Sequence, residues 1–504
     1  MRRFLALLVA GLLAASLAAP AAVVAAPPWA KIVQVQPPNG TDDTSNIQKA
    51  LDKCVQKGPG CTVQLQAGHY LSKQLVEYEF HGTFRGMGED RTIIQPLPGL
   101  AIVPAWADTW GMTGFCQPNL TDCLWPSLIT FVDGTIEVSD LAIHVTASCD
   151  TATDFGGGLW SAIYFTGQYP IDVSVDRVSV VGSKDSSPNC WFSPYNLGNG
   201  VEFAGYLPRS STWFDEYPIS GRWSVRNSTL STMLWAISPS DEAIENANVT
   251  IGGSPGAGNR IEDAGYGIPA ETAQNSVFDI SYNYASGVTP MMVGDGSRYV
   301  PSSPSQYFIH DNTFVTTAPG GSWADGILLV DYPNGASWLQ TVGLTPGNPY
   351  IRAKIWHNTI RVQNPLNAGI EAWDTVGTVV TGNTITGAGG YDAIGLYGLT
   401  KSVISGNNVS DFPAAGAGTM PGLPNLGVAQ IWLAPAVPEA PSPAAAHDLV
   451  VCASRHDTVL DEGTSNKIVG CTLVTAPALT VAPAAPMVTV PNKFNLKPMR
   501  PPLP

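Results

Sequence analysis

Charged side chains are scarce in this chain of 504 residues. They make up 13% of it, with 40 Asp and Glu against 25 Lys and Arg, for a net charge of −15. A surface of that sign repels nucleic acids and other polyanions. We therefore predict no nucleic-acid partner.

Long hydrophobic runs are missing after the first 26 residues. Arg2 and Arg3 precede an apolar run that ends at Ala18, and small residues follow it, which is the layout of a secretory signal peptide. The run is shorter than the about 20 residues that a membrane-spanning helix needs. We predict a signal peptide over residues 1–26, no membrane insertion, and a secreted, periplasmic or cell-surface protein.

Cysteine is limited to eight residues, and in an exported chain these favour disulfides over metal or thiol chemistry. Eight cysteines allow 105 pairings, so the sequence alone leaves the connectivity open. Closeness along the chain suggests four local bridges: Cys54 with Cys61, Cys116 with Cys123, Cys149 with Cys190, and Cys452 with Cys471.

Helical periodicity is almost absent. The exception is TDDTSNIQKALDKCVQKG at residues 41–58, where one face is apolar, capping residues stand at the start and Gly58 follows the end. A single amphipathic helix ahead of a solenoid is suited to cover its first coil. We assign residues 27–60 to this cap. The apolar face consists of Ile47, Ala50, Leu51 and Val55, and the capping candidates are Asp43, Thr44 and Ser45.

A repeat is the main positive feature of the sequence. The stretches YFIHDNTFV, KIWHNTIRV, VVTGNTITG and VISGNNVSD each place an asparagine between two apolar residues, at Asn312, Asn358, Asn383 and Asn407. A period in the twenties, with β-branched runs and Gly or Asn turns, indicates stacked β-coils. We expect the asparagine at a corner, because Asn tolerates positive φ and its amide can hydrogen-bond to the coils above and below.

A second element recurs between the asparagines, in DGILLVDY, AGIEAWDT and DAIGLYGL, and aligns Ile327, Ile370 and Ile394. Coils of this kind are predicted over residues 61–411. The periodicity thins afterwards, so residues 412–476 are assigned to a last coil or a lid with Pro/Ala-rich linkers. Residues 477–504 form a Pro/Ala-rich tail.

The start of the chain resembles a known family. NGTDDTSNIQKALDKC, followed by CTVQLQAGHYLSKQL and FRGMGEDRTIIQ, is similar to the entry of pectate-lyase-type proteins. The resemblance implies an all-β fold, a right-handed parallel β-helix with an N-terminal capping helix. It also implies a polysaccharide partner, held in a groove along the outer face of a sheet. It does not specify the reaction, because the superfamily contains lyases, glycoside hydrolases, epimerases and proteins with no known reaction.

Hydrolysis of a glycosidic bond needs two carboxyl groups on either side of it. Asp331 and Asp374 both follow the aligned isoleucine by four residues, so neighbouring coils, about 4.8 Å apart, should hold them at equivalent places. Glu371 follows its isoleucine by one residue and should point outward. Acidic residues recur at other repeated positions too, namely Glu202, Asp325 and Asp392. For all six, a turn cap or a solvated face is the alternative. We select Asp331, Asp374 and Glu371 as catalytic candidates.

Aromatic residues at strand ends and loops are candidates for stacking on sugar rings. We select Trp323, Tyr332, Trp373 and Tyr397 as substrate-binding residues. The alternative for each ring is packing in the core or under a loop, since large aromatic side chains are often mostly buried.

Other chemistries find less support in the sequence. β-Elimination needs a Lys or Arg base and a cation, and interior lysines are few. The polygalacturonase and alginate-epimerase motif sets, the Gly-x-Ser-x-Gly elbow, the phosphate loop and zinc-spaced clusters are all missing. We predict a hydrolase without metal or cofactor. The alternatives are a non-catalytic glycan-binding or structural β-helix and a polyuronate lyase that would require calcium. Oligomeric state is left open.

Overall fold

The computed structural model describes most of the chain between residues 31 and 476. The described ranges are 31–97, 122–123, 127–145, 159–184, 194–205, 207–208, 218–239, 244–270, 273–294, 303–317, 325–330, 351–363, 367–387, 391–398, 401–413, 418–420, 423–436 and 444–476. The predicted signal peptide and the tail after residue 476 lie outside them.

Successive strands stack in parallel into three long sheets, which we name A, B and C in the order in which each coil passes through them. Strands confined to sheet A are Lys31–Gln34, Cys61–Gln64, Ile219–Arg226, Ile244–Gly252, Val277–Ser281, Ser305–His310, Ile351–Trp356, Val379–Thr381, Val403–Ser405, Leu449–Val451 and Lys467–Val469. Those of sheet B are Gly68–Ser72, Thr92–Pro96, Thr313–Thr316, Thr359–Val362 and Thr384–Gly387. Those of sheet C are Leu159–Thr166, Leu197–Phe203, Ile327–Val330, Ile370–Trp373, Ile394–Tyr397, Ile431–Leu433, Thr458–Asp461 and Thr472–Val474.

Longer strands bend around the corners and belong to more than one sheet. These are Leu75–Arg85, Ser127–His144, Ile171–Val181, Thr229–Pro239, Arg260–Ala270 and Tyr284–Gly294. Two small antiparallel pairs lie outside the stack, Asp122–Cys123 with Leu207–Pro208 and Gly418–Met420 with Leu423–Leu426. The fold is thus the right-handed parallel β-helix, and the fold class predicted from the sequence is confirmed.

The helix Thr44–Lys57 lies where the sequence predicts it and closes the first coils. Ile47, Leu51 and Cys54 are buried on its inner face and join the main core. Asp43 occupies the N-cap position, but its carboxylate accepts hydrogen bonds from the backbone N–H groups of Asn39 and Leu71 instead of capping the helix. That carboxylate therefore ties the helix entry to the first strand of sheet B.

The coils extend beyond residue 411, where the sequence pattern thins. Strand Val403–Ser405 pairs with Leu449–Val451, which pairs with Lys467–Val469, so sheet A continues in register. Sheet C continues likewise to Thr472–Val474. Among the described residues, no helix is long and apolar enough to cross a bilayer.

Two of the four disulfides suggested by spacing are present. Cys54 bonds to Cys61, joining the helix to the first strand after it, and Cys452 bonds to Cys471 at the other end of the stack. Their Cα atoms are 5.5 and 5.3 Å apart. The other two suggested pairs, Cys116 with Cys123 and Cys149 with Cys190, involve side chains outside the described part of the chain.

An asparagine ladder runs along the corner between sheets A and B. Each side-chain N–H₂ group donates both to the next asparagine's Oδ1 and to a backbone carbonyl of the preceding coil; Asn358 Nδ2, for example, is 3.0 Å from Asn383 Oδ1 and 2.9 Å from the Ile309 oxygen. Hydrogen bonds between side-chain amides, 2.9–3.1 Å long, link Asn259, Asn283, Asn312, Asn358, Asn383 and Asn407. The ladder expected from the repeat is therefore present.

The positive φ at this corner belongs to a different residue from the one we predicted. From Asn283 to Asn407, the residue before each ladder asparagine adopts it, as at Asp311 (φ 54°), His357 (φ 54°) and Gly382 (φ 64°). The asparagine itself must aim its side chain along the stack, and the preceding residue makes the turn. The prediction of positive φ at Asn was wrong by one position.

We expect Asn358→Ala to lower the free energy of unfolding by about 2–4 kcal/mol, because the buried backbone N–H and side-chain amide of Asn312 both lose the Asn358 oxygen as acceptor, and Asn383 loses one donor. Urea denaturation followed by circular dichroism measures the loss. Asn248→Ala, at an exposed position on sheet A, is the matched control and should stay within about 0.5 kcal/mol of the parent protein. Equal effects of the two substitutions would contradict a stabilising ladder.

Candidate functional site

The outer face of sheet C is covered by side chains instead of being open to solvent. Outward residues such as Leu328, Val330, Trp373 and Trp432 form one buried cluster outside the sheet, separate from the main core. Nearer the N-terminus, Trp160, Tyr164 and Leu234 belong to a second cluster of this kind. Polar groups under such a cover need hydrogen-bond partners, because burying them unpaired costs free energy.

Three carboxyl groups lie in the first of these clusters, on three successive coils. Glu371 is the second residue of strand Ile370–Trp373. Asp325 and Asp392 stand two residues before the aligned Ile327 and Ile394, at the corner where the chain enters sheet C. All three are buried, with exposed fractions of 5%, 2% and 1%. The parallel register therefore gathers acidic residues that are far apart in sequence.

Hydrogen bonds satisfy these carboxyl groups only in part. The Trp373 indole donates to Glu371 Oε2 at 3.2 Å, the Ala368 N–H to Asp325 Oδ1 at 3.1 Å, and the Gly427 N–H to Asp392 Oδ1 at 3.2 Å. Buried atoms without a hydrogen-bond partner remain around them: Asp392 Oδ2 and both side-chain polar atoms of Asn367. Such a concentration is unusual, since buried polar atoms in native proteins are nearly always paired.

Burial is the main cause of raised pKa values throughout the cluster. It raises the pKa of Glu371 to about 7, against hydrogen bonds from Trp373 and Asp325 that lower it. It raises the pKa of Asp325 well above its usual range, and the neighbouring Glu371 charge adds to the effect. The pKa of Asp392 is raised for the same two reasons. Burial therefore favours the protonated forms of Asp325 and Glu371.

The aromatic candidates that the structure describes are buried. Trp373 and Tyr397 are 3% and 0% exposed, and their rings stack on each other with centroids 3.8 Å apart. Tyr397 also meets Trp432 edge to face. Neither ring presents an open face to a sugar. Both rings are packed against other side chains, which was the alternative considered for each. Trp323 and Tyr332 lie outside the described residues.

The carboxyl pair selected from the sequence is described only in part, because Asp331 lies outside the described residues. Asp374 is 5% exposed and adopts φ 56° directly after strand Ile370–Trp373, and its N–H donates to the Tyr397 carbonyl. Asp325 and Asp392 were instead expected in turn caps or on a solvated face. Their shared offset from the isoleucine was visible in the sequence, but their burial beside Glu371 was not.

Glutamate–tryptophan contacts recur along sheet C. The Trp160 indole donates to Glu202 at 2.9 Å, and the Ser161 hydroxyl also donates to Glu202. The Trp432 indole donates to Glu462 at 2.9 Å. Glu202 and Glu371 share a column of the register but are separated by five coils, about 24 Å at 4.8 Å per coil. They cannot act on one bond.

Sheet A carries a different kind of surface. An open cleft of about 610 Å³ is lined there by residues that include His81, Thr83, Glu137 and Arg222. Its polar groups largely pair with each other, as in the two hydrogen bonds from Arg222 to Asp172. Within the described part of the chain, no group of three or more His, Cys, Asp and Glu side chains is arranged to hold a metal ion.

Comparison with known proteins finds similarity of fold at low sequence identity. The A-module of the mannuronan C-5 epimerase AlgE6 of Azotobacter vinelandii is 12% identical, with a TM-score of 0.36 over 87% of this chain and 96% of that one. The catalytic unit of a GH87 α-1,3-glucanase from Streptomyces thermodiastaticus is 13% identical, with a TM-score of 0.41 over 90% and 71%. The periplasmic alginate epimerase AlgG is 9% identical, with a TM-score of 0.39 over 82% and 77%.

No protein-family model matches the chain. No curated protein sequence matches it either.

We expect the protein to be more stable at pH 5 than at pH 8. An unfolded Glu titrates near 4.5 and folded Glu371 at about 7, so folding favours the protonated form. The stabilisation is full below pH 4.5 and is lost as pH rises through 7. The shift corresponds to about 3 kcal/mol. Thermal unfolding at a series of pH values measures the slope.

Glu371→Gln should flatten this slope, because it removes one titrating group and the charge that raises the pKa of Asp325. Part of the slope should remain, since burial also raises the pKa of Glu77 to about 8 and that of Asp448 to about 7. Identical slopes in Glu371→Gln and the parent protein would show that Glu371 is not protonated on folding.

Proposed function

We propose that the protein is an exported hydrolase of polysaccharides and that Asp325, Glu371 and Asp392 form its active site. The observation that carries the proposal is the burial of three carboxyl groups with raised pKa values on successive coils of one sheet. Burying them costs stability, and a hydrophobic cluster of the same shape would avoid the cost. Strongly perturbed carboxyl groups gathered in one place are typical of catalytic sites.

In the proposed reaction, Asp325 is the general acid. Burial and the neighbouring Glu371 charge raise its pKa and so favour the protonated form, which can donate a proton to the oxygen of the leaving sugar. Glu371, oriented by the Trp373 indole, hydrogen-bonds to Asp325 and passes it a new proton from solvent after each cycle. Asp392, in its ionised form, accepts a proton from the attacking water and later releases it to solvent; its raised pKa makes that form a stronger base. It follows Tyr391 at the entrance to sheet C.

The coil spacing favours inversion of the anomeric centre. Asp325 and Asp392 hold equivalent positions two coils apart, about 9.6 Å at 4.8 Å per coil. Inverting glycosidases separate their carboxyl groups by about 6.5–9.5 Å to admit a water molecule, whereas retaining enzymes use about 5–5.5 Å. Asp325 and Glu371, on adjacent coils and in hydrogen-bond contact, leave no room for that water.

β-Elimination is less well supported. The charged groups that influence the three carboxyl groups are all acidic, and the described residues contribute no Lys or Arg to them. A lyase needs such a base and a cation to neutralise a uronate. The described residues therefore place no Lys or Arg where it could act as the base of a lyase at these three carboxyl groups.

Burial also supports a second candidate function, a non-catalytic β-helix that binds glycans. Glu371 and Asp325 are at most 5% exposed, so a substrate reaches them only if the covering side chains move. A protein that never opens this face would keep the carboxyl cluster as a buried polar network. Catalysis distinguishes the two functions directly.

Export is supported by two disulfides and by the predicted signal peptide. Disulfides persist in oxidising compartments, and Cys54–Cys61 and Cys452–Cys471 close both ends of the coil stack. A polysaccharide substrate is usually met outside the cytoplasm, so the two inferences agree.

The first test is a panel of polysaccharides incubated with the protein, with and without EDTA. We expect new reducing ends, no ultraviolet absorbance from unsaturated products, and no effect of EDTA. Asp325→Asn and Asp392→Asn should each lower kcat by about 10²–10⁴-fold, the usual contribution of a general acid or base. Asp374→Asn tests the candidate selected from the sequence in the same assay.

Glu462→Gln is the matched control, because it also replaces a glutamate that accepts an indole hydrogen bond on sheet C. It should retain activity. Unsaturated products that disappear with EDTA would show that the protein is a lyase and not a hydrolase. Activity that survives in Asp325→Asn and Asp392→Asn would place catalysis elsewhere, and silence on every substrate would favour the binding protein.

A further inference from the structure

A column of outward residues runs along the corner between sheets B and C and ends at the carboxyl cluster. The strand register aligns Asn199 with Trp235, Trp235 with Tyr266, and Tyr266 with Thr289. Met291 is paired with Ile327, so the same register continued by two residues sets Thr289 beside Asp325. Tyr266 and Trp235 thus lie two and three coils from Asp325, about 10 and 14 Å.

Both rings in this column are partly exposed, in contrast to Trp373 and Tyr397 beside the carboxyl cluster. Trp235 and Tyr266 pack against a buried cluster outside the sheet that includes Trp160 and Tyr164. Trp235 lies 6.2 Å from Trp160, ring centre to ring centre, at an angle of 49°. The two rings are therefore supported from below and held at adjacent coils, as a platform for a ligand with flat apolar faces.

Buried polar atoms without partners lie beside this platform. The Ser127 hydroxyl, the Thr130 hydroxyl and Asn199 Oδ1 find no hydrogen-bond partner, and their residues are at most 2% exposed. Asn199 lies on the same strand as Glu202, whose carboxylate is oriented by Trp160 and Ser161. Ser127 and Thr130 lie two coils away, on strand Ser127–His144. A native protein rarely leaves such atoms unpaired, and a ligand rich in hydroxyl groups would supply the partners.

The charges near the platform disfavour a polyanion. Glu202 lies on the coil next to Trp235, and Lys184 is already engaged by Asp263 at 2.6 Å. The net charge of the whole chain is −15. An alginate-like or pectate-like chain would meet repulsion along the whole face.

We propose that Trp235 and Tyr266 form a binding platform for a neutral polysaccharide, in line with Asp325 and Asp392. One stretch of the polymer stacks on the two rings while the next stretch continues along the corner to the carboxyl cluster. This proposal rests on the proposed function, which supplies the position of the bond to be cut. It also limits the substrate class to uncharged chains several sugar units long.

The test is native electrophoresis of the whole protein in gels that contain soluble starch, dextran, laminarin or xyloglucan, with alginate as the polyanion. At least one neutral polymer should retard the protein and alginate should not. Trp235→Ala and Tyr266→Ala should each weaken the binding about three- to tenfold, and Trp235→Phe should restore most of it. Trp356→Ala, a partly exposed tryptophan on sheet A, is the matched control and should bind like the parent protein.

Measuring KM and kcat separately distinguishes this proposal from the proposed hydrolase activity. Loss of the platform should raise KM for the polymer and leave kcat almost unchanged. Unaltered binding in Trp235→Ala and Tyr266→Ala, retardation by alginate, or no retardation by any polymer would overturn the platform, even if Asp325→Asn abolishes hydrolysis. Binding that depends on Trp235 in a protein that releases no reducing ends would keep the platform and refute the hydrolase.

Discussion

The amide-to-amide hydrogen bond between successive coils is the interaction on which the rest of this structure depends. Parallel strands alone could slip past each other, because backbone hydrogen bonds look alike at every second residue. A side-chain amide that must meet its counterpart one coil away removes that freedom. From Asn259 to Asn407 the ladder fixes the register on one corner, and sheets B and C inherit it.

A fixed register converts sequence offsets into positions in space. Asp325, Glu371 and Asp392 are spread over 68 positions of the chain, yet they lie on three adjacent coils because each is within two residues of an aligned isoleucine. The same rule leads from these carboxyl groups back to Tyr266 and Trp235. The candidate site is therefore a line along the stack, and its chemistry changes from aromatic to acidic along that line.

Much of the fold could be predicted from the sequence, because the repeat directly reflects the strand register. The asparagine spacing indicated stacked coils, and the apolar face of residues 44–57 indicated the cap. The corners were harder. Strict alternation would point Asp325 inward with Ile327, but the chain bends there and the side chain reaches the outer face. The covering of Trp373 and Tyr397 depends on contacts between coils, which no local pattern records.

The constant rise per coil fixes the distances between sites along the stack as multiples of one spacing. If a polymer is held at Trp235 and cut near Asp325, the length between grip and cut is three coils, and it can change only in steps of about 4.8 Å. Gain or loss of one coil between them, by duplication or deletion of some 24 residues such as those separating Asn383 from Asn407, would change the product by a discrete increment without disturbing either end. The length of the product would then depend on the number of coils between the binding platform and the carboxyl cluster.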